Sequence, residues 1–303
     1  MKMKSLLLLH ICFAFTAMAN AQTIPKSIEK TVVPKTQNKV VAKHRTVIIK
    51  KNKDSDGDGL MDKIDECPSV KGTPKYNGCP EPKKPGIVLP EMVYVSAGSF
   101  NAPSENGGVK AGKFHRVTLS GFYMGKHEIT QEQWLSVMGD NPSHFNDCAT
   151  CPVENISWEE TQTFLTTLNF KTGKQFRLPT DAEWKYAALG GQDYLYSGSN
   201  LIDDVAWYNT NSENKTHPVG KKLPNKYGLY DMTGNVAEFV NDWMGAQDQY
   251  EQINPQGPKS GKYRLRSSGN WSSPNYFSEV LINFPELPYD RNKYTGFRVV
   301  ILQ

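Results

Sequence analysis

After Cys151 this chain of 303 residues contains no cysteine, and the five cysteines it has all precede that point. Chemistry that needs a thiolate, such as a soft-metal centre, therefore has no ligand to draw on in the C-terminal half. Between Thr23 and Lys53 there is no Phe, Tyr or Trp, so that stretch cannot assemble a core. Downstream of the first residues no apolar run approaches the ~20 positions of a membrane-spanning helix. A Gly-x-Ser-x-Gly elbow and a phosphate-cradling glycine loop are both missing. His115, His127, His144 and His217 are scattered, without the spacing of a shared metal site.

What is present begins with a leader. Lys2 and Lys4 precede an apolar run from Leu6 to Ala17, and Ala19-Asn20-Ala21 gives a small-x-small cleavage signal before Gln22. Residues 1–21 read as a signal peptide, and the mature chain is expected in the periplasm, at the outer membrane or outside the cell. Cys12 is no lipidation site, because His10 and Ile11 stand where small residues are needed. An exported chain with Cys67, Cys79, Cys148 and Cys151 should form disulfides. Four cysteines allow three pairings, and the spacing favours Cys67–Cys79 and Cys148–Cys151. Pro152 follows the second pair at once, which suits a structural bridge better than a redox-active one.

The net charge of +4 is unevenly spread. Between Thr23 and Lys53 nine lysines and arginines face only Glu29, so the rest of the mature chain is acidic. Residues 22–53 are expected to be a basic, disordered linker, and no nucleic-acid partner is expected.

Asp54-Ser55-Asp56-Gly57-Asp58-Gly59-Leu60-Met61-Asp62-Lys63-Ile64-Asp65 is chemically explicit. Calcium takes six to eight oxygens, and an EF-hand-type loop supplies them from positions 1, 3, 5, 7, 9 and 12. Those positions fall on Asp54, Asp56, Asp58, the Leu60 carbonyl, Asp62 and Asp65, with Gly59 at the sharp turn. Cys67-Pro68 and Gly78-Cys79-Pro80 follow, and residues 54–80 together resemble a thrombospondin type 3 repeat. Calcium and one disulfide would stiffen a segment too small to hold a core. Residues 81–86 form a Pro/Lys linker.

From residue 87 to 303 helix and strand signals mix. Met92–Val95 and Arg116–Leu119 read as strands. Thr130 opens a helix to Met138 with Trp134 and Val137 on one face. Ser157, with Glu160 three residues on, opens another to Leu168, and Thr180 a short one to Ala188. Beyond Gly190 the chain is dense in Gly, Asn, Ser and aromatics, and few regular elements are expected.

The order of short motifs in this part is similar to that of the formylglycine-generating (sulfatase-modifying factor) family. The segments are Met92-Val93-Tyr94-Val95, Glu128-Ile129-Thr130, Asn141-Pro142-Ser143, Pro152-Val153-Glu154, Arg177-Leu178-Pro179-Thr180-Asp181-Ala182-Glu183-Trp184, Gly228-Leu229-Tyr230-Asp231-Met232-Thr233-Gly234-Asn235-Val236-Ala237-Glu238 and Gly296-Phe297-Arg298. The resemblance implies an α+β, C-type-lectin-like fold with little regular structure. It implies a second calcium at Asn235, Val236 and Glu238, and Arg177, Glu183 and Arg298 as ion-pair members. Family enzymes hold copper on two cysteines five residues apart after a glycine turn. Here the matching turn is Ser268-Gly269-Asn270-Trp271, and the two positions fall on Ser273 and Ser278. Copper, and with it formylglycine formation, is not expected. The resemblance then implies a degenerate domain that binds an envelope protein or glycan, as in gliding or secretion machinery. The competing expectation is a protein-modifying oxidoreductase with non-copper chemistry.

Overall fold

A computed structural model describes residues 53–80, 86–104, 113–245 and 250–302. The expected leader, the basic tract up to residue 52 and positions 81–85 of the linker lie outside the described residues. The chain divides into two units, Met1–Glu81 and Pro82–Gln303.

In the first unit the one regular element among the described residues is a 3-10 turn at Pro74–Tyr76. Its shape comes from the Cys67–Cys79 bridge and from side-chain bonds of the acidic loop. Gly72 must be glycine, because a Cβ there would collide with the Cys79 carbonyl.

The second unit mixes helix and sheet. Strands β1 (Met92–Val95), β2 (Gly98–Pro103), β3 (Phe114–Leu119) and β4 (Phe122–Gly125) come first. Helices α1 (Gln131–Met138), α2 (Trp158–Thr172) and α3 (Asp181–Leu189) follow, with β5 (Phe176–Arg177) before α3. After the short α4 (Ile202–Val205) come β6 (Ala237–Trp243), β7 (Gln252–Ile253), β8 (Arg264–Ser267), β9 (Asn283–Glu286), β10 (Thr295–Phe297) and β11 (Val300–Leu302). They form three small sheets, ordered β1-β4-β11-β5, β10-β6-β8-β9 and β2-β3-β7. The second half therefore holds more strand than its composition led one to expect. Each strand is short and pairs with a distant partner, such as β10 along β6 in parallel, so no local turn signal announces it.

The helices begin where their caps predict. Thr130, Ser157 and Thr180 each accept the N3 amide, and Gln133, Glu160 and Glu183 reach back to the cap amide. Each box satisfies two donors that a helix end otherwise leaves unpaired, typically worth ~1 kcal/mol. Gly139, Gly173 and Gly190 close the helices in the left-handed region. α2 runs beyond the expected Leu168 because its stop signal is Gly173.

Two aromatic-rich cores result. One gathers Phe122, Met124, Trp184, Leu229 and Val240. The other gathers Ile129, Trp134, Phe164, Phe239 and Phe297, with Trp134 stacked on Phe164 at 5.1 Å. Truncating a ring as buried as Trp184 costs about 3–5 kcal/mol. Cys148 and Cys151 are bridged in the loop before β-bridge partner Pro152. Among the described residues no helix is long and apolar enough to cross a membrane.

Candidate functional site

The turn Ser268–Trp271 leaves β8 with Ser268 in the left-handed region at φ 64°. The Ser273 hydroxyl accepts the Asn270 amide at 3.0 Å, and the Asn270 carboxamide accepts the Ser272 amide at 2.9 Å. A 3-10 turn at Asn275–Phe277 then brings Ser278 back under the first turn. Gly269 is wedged between the two serines: a Cβ on it would collide with Ser278 Oγ and lie 2.9 Å from Ser273 Cβ. The two expected positions are thus brought together. Ser278 is fully buried and its hydroxyl has no hydrogen-bond partner among the described residues, nor has that of Ser268. Trp271 fixes the turn, receiving the Ser212 hydroxyl on its carbonyl at 2.6 Å and giving its ring N–H to Lys293 O at 3.0 Å.

Next to this turn lies a buried charge cluster. Arg298 is wholly buried and grips Glu238 through Nε and Nη2, both at 2.7 Å. It also donates to the carbonyls of Gly125 (3.1 Å) and Tyr230 (2.8 Å). Trp184 donates its ring N–H to Glu238 at 2.8 Å. The expected ion-pair roles hold: Arg177 makes a two-pronged bond to Glu183, both arms at 2.7 Å.

The residues at which a second calcium is implied, Asn235, Val236 and Glu238, have other partners in the fold. Glu238 spends its oxygens on Arg298 and Trp184. Asn235 takes the His217 amide on its oxygen at 2.9 Å and gives its nitrogen to Glu128 at 2.9 Å. Val236 gives its amide to Glu128 at 3.1 Å. The three fasten the β6 end of the core. Sequence reasoning missed the carboxylates that matter here, Glu128 and Asp231. Asp231 sits at φ 55°, and its Oδ1 is buried without a partner. An Asp held in the left-handed region is a signal the sequence hides.

Burial raises Glu128 well above the ordinary carboxylate range, helped by repulsion from Asp231 and Glu238. Burial likewise lifts Asp231 to about 6, and burial plus Asp181 lifts Asp242 to about 7. These folded-state values exceed the unfolded ones, so the fold binds the protons more tightly than the unfolded chain does. Their contribution is fully present below about pH 4 and is lost as pH rises through about 6 to 7, at ~1.4 kcal/mol per pH unit and group. Thermal melting is therefore expected to be higher near pH 5 than near pH 8. A midpoint that rises across that interval would contradict the assignment.

In the first unit Asp54, Asp56 and Asp58 each bring one carboxylate oxygen within 4.8 Å of the others, the one such group among the described residues. Asp56 Oδ2 and Asp65 Oδ2 are buried without partners, and desolvation with repulsion from Asp58, Asp65 and Asp54 raises Asp56. Buried orphan oxygens of this kind fit a hard cation. Asp62 is not brought to the cluster: it holds Ser55 through amide and hydroxyl, both at 2.7 Å, which lowers its pKa. Asp65 accepts the Cys67 amide at 2.7 Å, and Leu60 gives its amide to Asp58 at 2.8 Å.

Residues 79–302 match the family described as "Sulfatase-modifying factor enzyme 1-like domain". The chain belongs to this family. Among curated proteins, the sulfatase-modifying factor chain is 32% identical over 246 residues to "Chaperone protein LppX" of Paenibacillus barcinonensis, covering 64% of this chain and 82% of that one. It is 32% identical over 225 residues to "Serine/threonine-protein kinase pkn1" of Chlamydia pneumoniae, covering 64% of this chain but spanning only 35% of the kinase. Among solved structures, "Treponema denticola variable protein 1" superposes with a TM-score of 0.66 at 32% identity, over 70% of this chain and 95% of that one.

Proposed function

We propose that this protein is an exported envelope component whose sulfatase-modifying factor domain has given up copper chemistry and acts as a binding or scaffold module. The observation that carries this reading is the pair Ser273 and Ser278, packed against Gly269 where family enzymes carry cysteines. A serine hydroxyl is hard and stays protonated at neutral pH, so it cannot stand in for the thiolate that holds Cu(I). The four cysteines beyond the expected leader are tied up as Cys67–Cys79 and Cys148–Cys151, leaving no free thiol to substitute. A relative with a chaperone name favours work done by binding. A C-type-lectin-like kinship would give the domain a face for a protein or glycan of the envelope. Residues 54–80 serve, on this reading, as a thrombospondin type 3-like spacer stiffened by calcium on Asp54, Asp56 and Asp58, with the Leu60 carbonyl, Asp62 and Asp65 closing in when the ion binds.

The test loads the purified protein with copper and calcium, dialyses it, and measures both metals. An aldehyde assay on a Cys-x-Pro-x-Arg sulfatase peptide runs alongside. Calcium is expected to be retained, and lost on Asp56→Asn, with neither copper nor aldehyde above background. Tightly held copper, or any aldehyde, would overturn the scaffold reading in favour of a protein-modifying oxidoreductase.

A further inference from the structure

Away from the serine pair, a cavity of about 370 Å³ opens between β2, β3, the start of α3, the end of β6 and the 252–258 segment. About half of its wall is apolar, with Phe100, Val117, Leu265 and Pro258 contributing. Three charged side chains from two elements interrupt that wall: Asp181 and Lys185 of α3 and Asp242 of β6. All three are more than nine-tenths buried. Asp181 has its partners, taking Lys185 Nζ and Asn283 Nδ2, both at 2.8 Å. Asp242 is only half satisfied. Its Oδ2 accepts the Asp181 amide at 2.8 Å, while its Oδ1 accepts no hydrogen bond from a described residue and faces the cavity beside Gly257. A side chain on Gly257, which stands at φ +67°, would collide with that oxygen, so glycine keeps the approach to it open.

A buried carboxylate is costly unless a cation or donor answers it. Among the described residues Lys185 pairs with Asp181 and no cation hydrogen-bonds Asp242 Oδ1, which looks into a space of ligand size with a half-apolar wall. We infer that this cavity binds a small organic amine, its primary ammonium seated on Asp242 Oδ1 and its apolar body lying against Phe100, Val117 and Leu265. A metal ion would find too few oxygens here, and an anion would meet the exposed side of a carboxylate. The inference does not depend on whether the domain is a scaffold or an enzyme.

Binding carries a proton signature. Burial holds Asp242 near 7, so the free cavity stores a proton there over the lower half of the physiological range. An incoming ammonium must displace it. The other charged or titratable groups turned toward Asp242 are Asp181, Glu183 and Lys185 on α3, Arg264 on β8 and His115 on β3. His115 has both ring nitrogens engaged, by Ser104 at 3.2 Å and Gln252 at 3.3 Å.

The experiment is calorimetric titration of the full chain with 2-phenylethylamine, which stays protonated throughout, beside 3-phenylpropionate, its anionic counterpart. The amine should bind and the acid should not. Amine affinity should rise about tenfold from pH 6 to pH 8, with proton release visible as a heat that changes with the buffer. Asp242→Asn keeps an oxygen for the Asp181 amide; it should weaken the amine at least about tenfold and abolish the pH dependence. A dipeptide with a free phenylalanine amino terminus, used as a second amine, tells whether a peptide end fits as well as a free amine. Equal binding of acid and amine, no binding of either amine, or a pH-independent affinity in the unaltered chain would each overturn the inference, whether or not the variant folds.

Discussion

Arg298→Met should leave the sulfatase-modifying factor domain unable to hold its native packing, with a loss of about 3–5 kcal/mol. Among the described residues the guanidinium is the one cation paired with Glu238, and it also faces Glu128 and Asp231. Methionine fills much of the same volume, so the loss would come from uncovered charge and not from a hole. The same substitution strands the carbonyls of Gly125 and Tyr230, which Arg298 now caps. A loss of that size is a large share of the 5–15 kcal/mol that a domain commands. Denaturant titration by circular dichroism reads it directly. Because three carboxylates then lack a cation, part of the stability should return as pH is lowered toward 5. A variant as stable as the parent at pH 7 would show that the pair contributes nothing.

The second large effect is a gain. The double substitution Ser273→Cys with Ser278→Cys should take the chain from background copper to about one Cu(I) per chain after reductive loading and desalting. The reason is placement: both serines press on Gly269, so two thiolates there would stand side by side. Each single substitution should retain little, since one soft ligand does not make a site. Thiols are counted under reductant to ensure that both are free. If both are free and copper washes away, the two positions are not juxtaposed in solution and the scaffold argument loses its structural footing.

What the sequence made legible is uneven, and the unevenness has causes. The three helix starts were plain because a capping box is a local chemical statement: Ser157 and Glu160 are three positions apart whatever the tertiary fold. The disulfides were plain for the same reason. Strands β6 to β11 were not, because their partners lie tens of residues away and no two of them are joined by a tight hairpin. Motif order places the serine pair, whereas its contact through Gly269 arises only in the tertiary fold. The acidic loop was half legible. Alternation of Asp and Gly marks Asp54, Asp56 and Asp58 as one group, whereas Asp62 answers Ser55, a contact no spacing rule anticipates. Asp242 is invisible as a site residue in sequence, since its neighbours on the cavity wall come from five other stretches of chain.

Of the last two strands, β11 is internal to its sheet and β10 is an edge. β11 lies between β4 and β5, and β10 closes against β6. Arg298, which answers the buried carboxylates, sits between those two strands in sequence. Neither sheet can be completed, and Glu238 cannot meet Arg298, until residues 295–302 are in place. The second unit must therefore stay open until β10 and β11 have been made. Folding should then be slow and late, dominated by contacts of large sequence separation. Even a short C-terminal deletion would remove the centre of a sheet, and trimming the chain from that end would be far more damaging than trimming an edge.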